Sequence, residues 1–322
     1  MAHLIEQMAY VGDTPWHGLG NQLSPKQPLE VWRHEAGMDW DILESPVHFK
    51  SSMAGHLGSI HTFPEQKVLY RSDTKLPLSV VSKRYQTVQP SEVIEFYRDL
   101  TEVSGFELET AGVLKGGRKF WALARTGQDF TLKGKDLVNS YILLATSCDG
   151  TLATTATPTT VRVVCNNTLT VSLNGAPMAI KVPHSTKFNP DVVKRDLGIA
   201  VSQWDDFKYQ MNLLSQRKVR WKEAMGYFMG VMCQLDGEVL VPEKLPNERA
   251  LRVVQDLYDG RGRGSELESA SGTAWGLLSA VTEFVDHHKQ ARSNDNRLDS
   301  AWFGQGAQIK QRALDTALQL VA

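Results

Sequence analysis

The chain has 322 residues, 42% of them hydrophobic and 22% charged, which reads as an ordinary soluble globular protein of one large or two ordinary domains. Thirty-five Lys and Arg against thirty-six Asp and Glu leave a net charge of -1, which excludes a uniformly basic nucleic-acid binder but permits a local basic groove. No apolar run approaches the roughly 20 residues of a membrane span, and the N-terminus lacks a cationic start and an apolar signal core. Cys148, Cys165 and Cys233 are odd in number, widely spaced and form no CxxC pair. Reduced thiols in a cytoplasm, no membrane partner, no cofactor and no metal are therefore expected.

In chain order, PLEVWRHEAGM (28–38) predicts a short helix, and WDILESPVHF (40–49), KVLYRS (67–72) and PLSVVSKRY (77–85) predict strands. PSEVIEFYRDLTEVSG (90–105) predicts one amphipathic helix: Pro90 and Ser91 start it, Val93, Ile94, Tyr97 and Leu100 form the stripe, and Gly105 ends it. FELETAGVLKGGRKFWALART (106–126) reads as two strands joined at Gly116-Gly117, and LVNSYILLATS (137–147) as a buried strand. Strands that follow one another through tight turns favour an α+β fold with an antiparallel, hairpin-rich sheet.

From about residue 190 the pattern turns helical. Val193, Leu197, Ala200, Trp204, Phe207, Met211 and Leu214 recur at steps of four and three, which suits one long helix docked along a single seam, a partner subunit's included. Further stripes run through Trp221, Ala224, Phe228 and Met232, then Ala250, Val254 and Leu257, then Ala274, Leu278, Val281, Val285 and His288, then Ile309, Ala313 and Ala317. GRGRGSELESASG (260–272) reads as a mobile glycine-rich connection. The expected division is an α+β domain over 1–189 and a helical domain over 190–322.

TLATTATPTTVRVVCNNTLT (151–170) carries eight threonines and a single charge, Arg162. It supports two readings. One is a strand with hydroxyls toward water, since threonine suits a pleated surface. The other is an anion site: Asn166 or Asn167 would cap a short helix, TLTVSLNG, closed by Asn174-Gly175, and its free N–H groups would join Arg162 around a phosphate.

Three more stretches combine cations with aromatics: LKGGRKFW with Lys115, Arg118, Lys119, Phe120 and Trp121, SKRYQ with Lys83, Arg84 and Tyr85, and QRKVRWK with Arg217, Lys218, Arg220 and Lys222 around Trp221. Cations that follow a phosphate backbone and rings that stack on bases are what a single strand requires. Candidates for catalysis are poorer. His17 lies in a glycine-rich turn without βαβ context, and Asp286, His287 and His288 are adjacent on a helix, so they diverge by about 100° per residue and cannot chelate one ion as a set. Cys148 and Cys165 read as buried thiols and His288 as a core histidine.

Taken together, MAYVGDTPWHGLG, SVVSKRYQTVQPSEVIEFYRDL, ETAGVLKGGRKFWALA, TPTTVRVVCNNTL, GTAWGLLSAVTEFVDHHK and RLDSAWFGQGAQIKQRAL resemble the phage/plasmid-like protein family, a family of unknown function carried by phages, prophages and conjugative plasmids. The likeness runs along nearly the whole chain. One departure is that Ser147, Cys148, Asp149 and Gly150 stand where that family often has Ser-His-Asp-Gly, so no role for that histidine carries over. The resemblance implies a mobile element in a bacterial host and, by association, DNA metabolism. The expectation is a single-stranded DNA-binding protein that aids annealing or recombination, a homo-oligomer, with Lys83, Arg84, Tyr85, Lys115, Arg118, Lys119, Trp121 and Arg162 at the interface. Two other classes stay open: a nucleotide- or DNA-processing enzyme using His17, Asp149 or His287, and a protein–protein module such as an inhibitor of host defence.

Overall fold

The computed structural model describes residues 5–12, 20–51, 58–102, 104–164, 167–173, 176–202, 204–234 and 247–322. The fold is α+β, strand-rich first and helical towards the C-terminus. In chain order the elements are β1 (Ile5–Val11), β2 (Asn21–Leu23), α1 (Leu29–Glu35), β3 (Ile42–Ser51), β4 (Ser59–Arg71), β5 (Pro77–Ser82), α2 (Pro90–Glu95), α3 (Arg98–Glu102), β6 (Glu107–Leu114), β7 (Lys119–Arg125), β8 (Phe130–Leu132), β9 (Asp136–Ser147), β10 (Thr154–Arg162), β11 (Asn167–Thr170), β12 (Ser172–Leu173), β13 (Ala176–Pro177) and β14 (Ile180–Val182). Then come α4 (Pro190–Ser202), α5 (Trp204–Gln216), α6 (Trp221–Cys233), α7 (Glu248–Asp256), α8 (Ala274–Glu283), α9 (Asn294–Phe303) and α10 (Gln305–Gln319), with π-helical turns at Leu257–Arg261 and Phe284–His288. The chain forms two compact units: Met1–Arg125, Leu143–Ala156 and Ile180–Arg195 make one, and Thr126–Ile142, Thr157–Ala179 and Asp196–Ala322 make the other.

In the first unit the sheet runs β10-β9-β7-β6-β1-β2, with β14 pairing β10. The β1–β2 pair is parallel, whereas β1–β6 and β6–β7 are antiparallel. The Gly116-Gly117 hairpin forms as its sequence requires, with φ of 55°, 67° and 94° at Lys115, Gly116 and Gly117. The helix expected over 90–105 is instead two short ones, α2 and α3. Phe96 and Tyr97, side by side at the interruption, are both fully buried. The Tyr97 hydroxyl donates to the Ala122 carbonyl at 2.8 Å and accepts the Leu144 N–H at 2.9 Å. Neighbours on a straight helix point about 100° apart, so a break is what lets both rings enter one core.

β3, β4 and β5 form a separate antiparallel sheet of the first unit. β5 pairs with Gln66–Tyr70 of β4, and among the described residues no third strand pairs with Val47–Ser51 or Ser59–Phe63, which continue as a two-stranded ribbon. The sequence revealed the base of β4 at KVLYRS but not its outer half, SIHTFPE, where apolar alternation is weak and Pro64 argues against a strand.

In the second unit β8 pairs β9 and β11 pairs β10. Trp204, Phe207, Met211 and Leu214 of α5 enter a core with Phe228 and Val231 of α6, Leu278 and Val281 of α8 and Leu314 of α10. The α5 part of the heptad stripe is thus buried by this chain's own helices, and Gln203, between α4 and α5, lies outside the described residues. Ala200's side chain lies outside the described residues.

Both readings of 151–170 are corrected. Thr154, Thr155, Thr157, Thr159 and Thr160 are all buried, and the hydroxyls of Thr154, Thr155, Thr159 and Thr160 bond within the protein: Thr159 and Thr160 both donate to the Leu169 carbonyl, at 2.9 and 3.3 Å. The expected TLTVSLNG helix is strand, because Asn167–Thr170 pairs antiparallel with Thr159–Arg162. Alternating branched residues favour the pleated surface over a helix, so among the described residues no helix start stands here to hold an anion. Asn166, Asn174 and Gly175 lie outside the described residues. The 260–272 connection is tightly bonded rather than mobile: Ser269 and Ala270 are 1% exposed, and a Cβ at Gly264 would stand 2.7 Å from the Val164 side chain.

Candidate nucleic-acid interface

The eight expected contact residues divide into exposed and buried groups. Lys83, Arg84 and Arg118 are exposed and Lys115 is half-buried. Tyr85 is buried, with its hydroxyl on the Ser147 carbonyl at 2.8 Å and its ring stacked on His184 at 4.4 Å. Lys119 and Trp121 are buried at 5% and 1% exposure. In β7 the residues 119–124 are all buried, so both faces of that strand are covered and alternation gives no exposed side. Tyr85, Lys119 and Trp121 therefore cannot reach a strand of DNA in this conformation.

Backbone bonds tie the segments that carry Arg118 and Arg84 to the same rim of the first unit. The Cys148 N–H donates to the Arg118 carbonyl at 2.9 Å, and Ser147 next to it holds Tyr85, the neighbour of Arg84. Cys148 sits beneath this rim. Burial, with Asp149 beside it, pushes its thiol up to about 12. At about pH 8 only about one molecule in ten thousand would then carry the thiolate, so iodoacetamide is expected to leave Cys148 unlabelled until the protein is unfolded. Peptide mapping by mass spectrometry checks this, and labelling in the folded state at the rate of a free thiol would contradict it.

Arg162 is withdrawn from the interface altogether. It is 3% exposed, and its Nε and Nη2 each donate to Asp136 at 2.8 Å. The same carboxylate accepts Ser269 Oγ at 2.6 Å and Trp275 Nε1 at 2.9 Å, and Arg162 Nη2 also donates to the Gly264 carbonyl at 3.0 Å. Every donor around Asp136 is answered, which is what makes a buried ion pair tolerable. Asp286 is structural in the same way: it accepts the Thr168 N–H at 2.7 Å and Lys310 Nζ at 2.9 Å. His288 is exposed rather than core. Asp149 belongs to the first unit and His287 to the second, and His17 and Cys165 lie outside the described residues. Among the described residues no three His, Cys, Asp or Glu side chains gather as a metal site requires.

Of the aromatics in the three basic stretches, Trp221 is the most exposed, at 72%. Spacing placed it on the stripe of α6, three residues before the buried Ala224. It is the first residue of that helix, however, and its ring stays outside the core. The preceding strand-like segment is fixed by Val219 N–H to Gly272 O and Ala274 N–H to Arg217 O, both 3.0 Å. Arg217 is consumed locally by Glu223, Nη2 to Oε1 at 2.6 Å. The Arg220 N–H and the Arg217 guanidinium together hold the Glu223 carboxyl below its usual range. Its neighbours in sequence Lys218, Arg220 and Lys222 are exposed, and Lys218 Nζ donates to the Ser271 carbonyl at 3.0 Å. Among the described residues neither Arg220 nor Lys222 is held in an ion pair. An exposed indole in a stretch of exposed cations has the composition that a base and its phosphates require.

No helix among the described residues is long and apolar enough to cross a membrane. The family model described as Domain of unknown function (DUF932) matches residues 77–302, and the chain belongs to that family. No curated protein and no solved structure matches it.

Proposed function

We propose that the protein binds single-stranded DNA through Trp221 with Lys218, Arg220 and Lys222, and that it serves a phage or plasmid in strand annealing or recombination. The observation that carries the reading is the 72% exposure of Trp221. Tryptophan is a large apolar side chain that folding normally covers, and a solvated one set among cations has the composition of a stacking platform. The exposed Lys83, Arg84 and Arg118 supply further positive charge on the first unit. The likeness of the sequence to proteins carried by mobile elements supports DNA as the polymer and annealing or recombination as the process.

The test is a titration of oligonucleotides against salt. Three phosphate contacts predict a log–log slope of about -2 for a single strand. Single-stranded DNA should bind more tightly than duplex of the same length, because paired bases have no free face to stack. No binding at low salt, or preference for duplex, would sink the reading.

A further inference from the structure

Among the described residues the second unit buries three carboxylates, Asp136, Glu283 and Asp286, at 0%, 3% and 2% exposure. Asp136 is met by Arg162, Ser269 and Trp275, and Asp286 by Lys310 and by the N–H and hydroxyl of Thr168. Glu283, the last residue of α8, is answered far less fully. Among the described residues its one hydrogen-bond donor is the Arg263 N–H, shared between Oε2 at 3.0 Å and Oε1 at 3.3 Å. Its ion-pair partner, His288 Nε2, stands 3.8 Å from Oε1, beyond hydrogen-bond reach. A carboxylate has room for about four such bonds, so this one is buried with most of its capacity unused.

Its place in the fold is also unusual. Arg263 lies just past the π-helical turn at Leu257–Arg261, and Glu283 immediately precedes the one at Phe284–His288. Such turns are rare and are frequent at functional sites. Gly262 permits the close approach: a Cβ there would stand 2.5 Å from the Leu257 carbonyl oxygen and 3.1 Å from Glu283 Oε2. On the other side, Arg162 Nη2 donates to the Gly264 carbonyl at 3.0 Å. The turn 262–264 is thus closed between a carboxyl on its N–H side and a guanidinium on its carbonyl side. Neighbouring charges are taken: Arg162 by Asp136 at 2.8 Å, Asp286 by Lys310 at 2.9 Å and Arg261 by Asp256 at 2.7 Å. The charges that face the Glu283 carboxyl are Arg263, from the turn, and His288, from the π-helical turn after α8, whose side chain is 44% exposed.

We propose that Glu283 is a proton-operated latch on this turn, closed while the carboxyl is protonated or a charged His288 stands beside it, and open when the carboxylate is left alone. An ionised group short of donors favours water, and opening the turn supplies it. Burial holds the carboxyl above its ordinary value, against the opposing pull of the Arg263 N–H and the His288 charge. The closed turn therefore binds the proton more tightly than the open one. Closure is favoured at low pH and is lost as pH rises above the ordinary carboxylate range. The latch goes beyond the DNA reading and does not depend on it, because none of its groups belongs to the Trp221 patch.

Hydrogen exchange of the full chain tests it, read by mass spectrometry on the peptide spanning 262–264 and corrected for the intrinsic pH dependence of amide exchange. In the wild type, protection of this peptide should fall by about twofold or more between about pH 5 and about pH 9. Glu283→Gln keeps an acceptor for the Arg263 N–H and carries no charge. It should hold its protection across the whole range and exceed the wild type at the alkaline end. His288→Gln should lose protection at lower pH than the wild type and match it in alkali. Wild-type protection that does not change with pH, a Glu283→Gln turn that is open throughout, or a His288→Gln profile identical to wild type overturns the proposal. Should Glu283→Gln fail to fold, NMR of the Glu283 carboxyl carbon in the wild type decides: titration above the value of a free glutamate supports the latch, and titration at or below it overturns the latch.

Discussion

Trp221→Ala is expected to weaken single-stranded DNA binding by roughly 5- to 150-fold, the equivalent of the ~1–3 kcal/mol that stacking on one aromatic contributes per base. The fold should not notice. The ring is 72% exposed, so its removal opens no cavity, and stability should stay within about 0.5 kcal/mol of wild type. Trp221→Phe keeps a π-face and should retain most of the affinity. Neutralising Lys218, Arg220 or Lys222 should act differently: each loss should weaken binding to all sequences alike and make the salt slope shallower by about 0.7. Fluorescence anisotropy with a labelled oligonucleotide separates the two effects. Unchanged affinity in Trp221→Ala would remove the stacking platform and with it the reason for placing DNA on this face.

Asp136→Ala should be the most damaging single substitution in the second unit, at about 3–5 kcal/mol. It strands the Arg162 guanidinium at 3% exposure and leaves Ser269 Oγ and Trp275 Nε1 without the acceptor they share. Set against a total stability of about 5–15 kcal/mol, that loss is enough to unfold a marginal protein. Asp136→Leu combined with Arg162→Met should recover much of it, because a well-packed apolar pair of similar size avoids desolvating two ions. Urea unfolding followed by circular dichroism measures both. If Asp136→Ala and the double variant are equally unstable, the shape of the site rather than its charge is what matters. Loss of DNA binding in an Arg162 variant should track unfolding, since that guanidinium does not reach the surface.

Much of the fold was legible because its signals are local. The Gly116-Gly117 turn, the Pro90 start of α2 and the stripes of α5, α6, α8 and α10 depend on residues a few positions apart. The candidate site was legible only in part, because exposure is not local. Trp121 and Trp221 both follow basic residues, yet the first lies on a strand covered on both faces and the second at a helix start beyond its core. Spacing would have buried Trp221, and its cationic neighbours were the only sequence sign to the contrary. Arg162 misled for a related reason. Its partners, Asp136, Gly264 and the Ser269–Trp275 segment, are scattered along the chain, and no pattern near the threonines announces them. The threonines themselves read as solvated because hydroxyls usually are, whereas here neighbouring carbonyls replace water.

The Arg162 cluster also bears on how the second unit comes to be folded. Its bonds join residues 26, 102 and 133 positions apart. Contacts so distant along the polymer close large loops before any compensating energy arrives, which slows the search. On the ribosome the guanidinium and carboxylate would emerge long before Gly264, Ser269 and Trp275 do. The nascent chain therefore carries a half-solvated ion pair and uncovered strands while the 102 positions from Arg162 to Gly264 are added, an interval in which a growing polypeptide is open to chaperones and to aggregation.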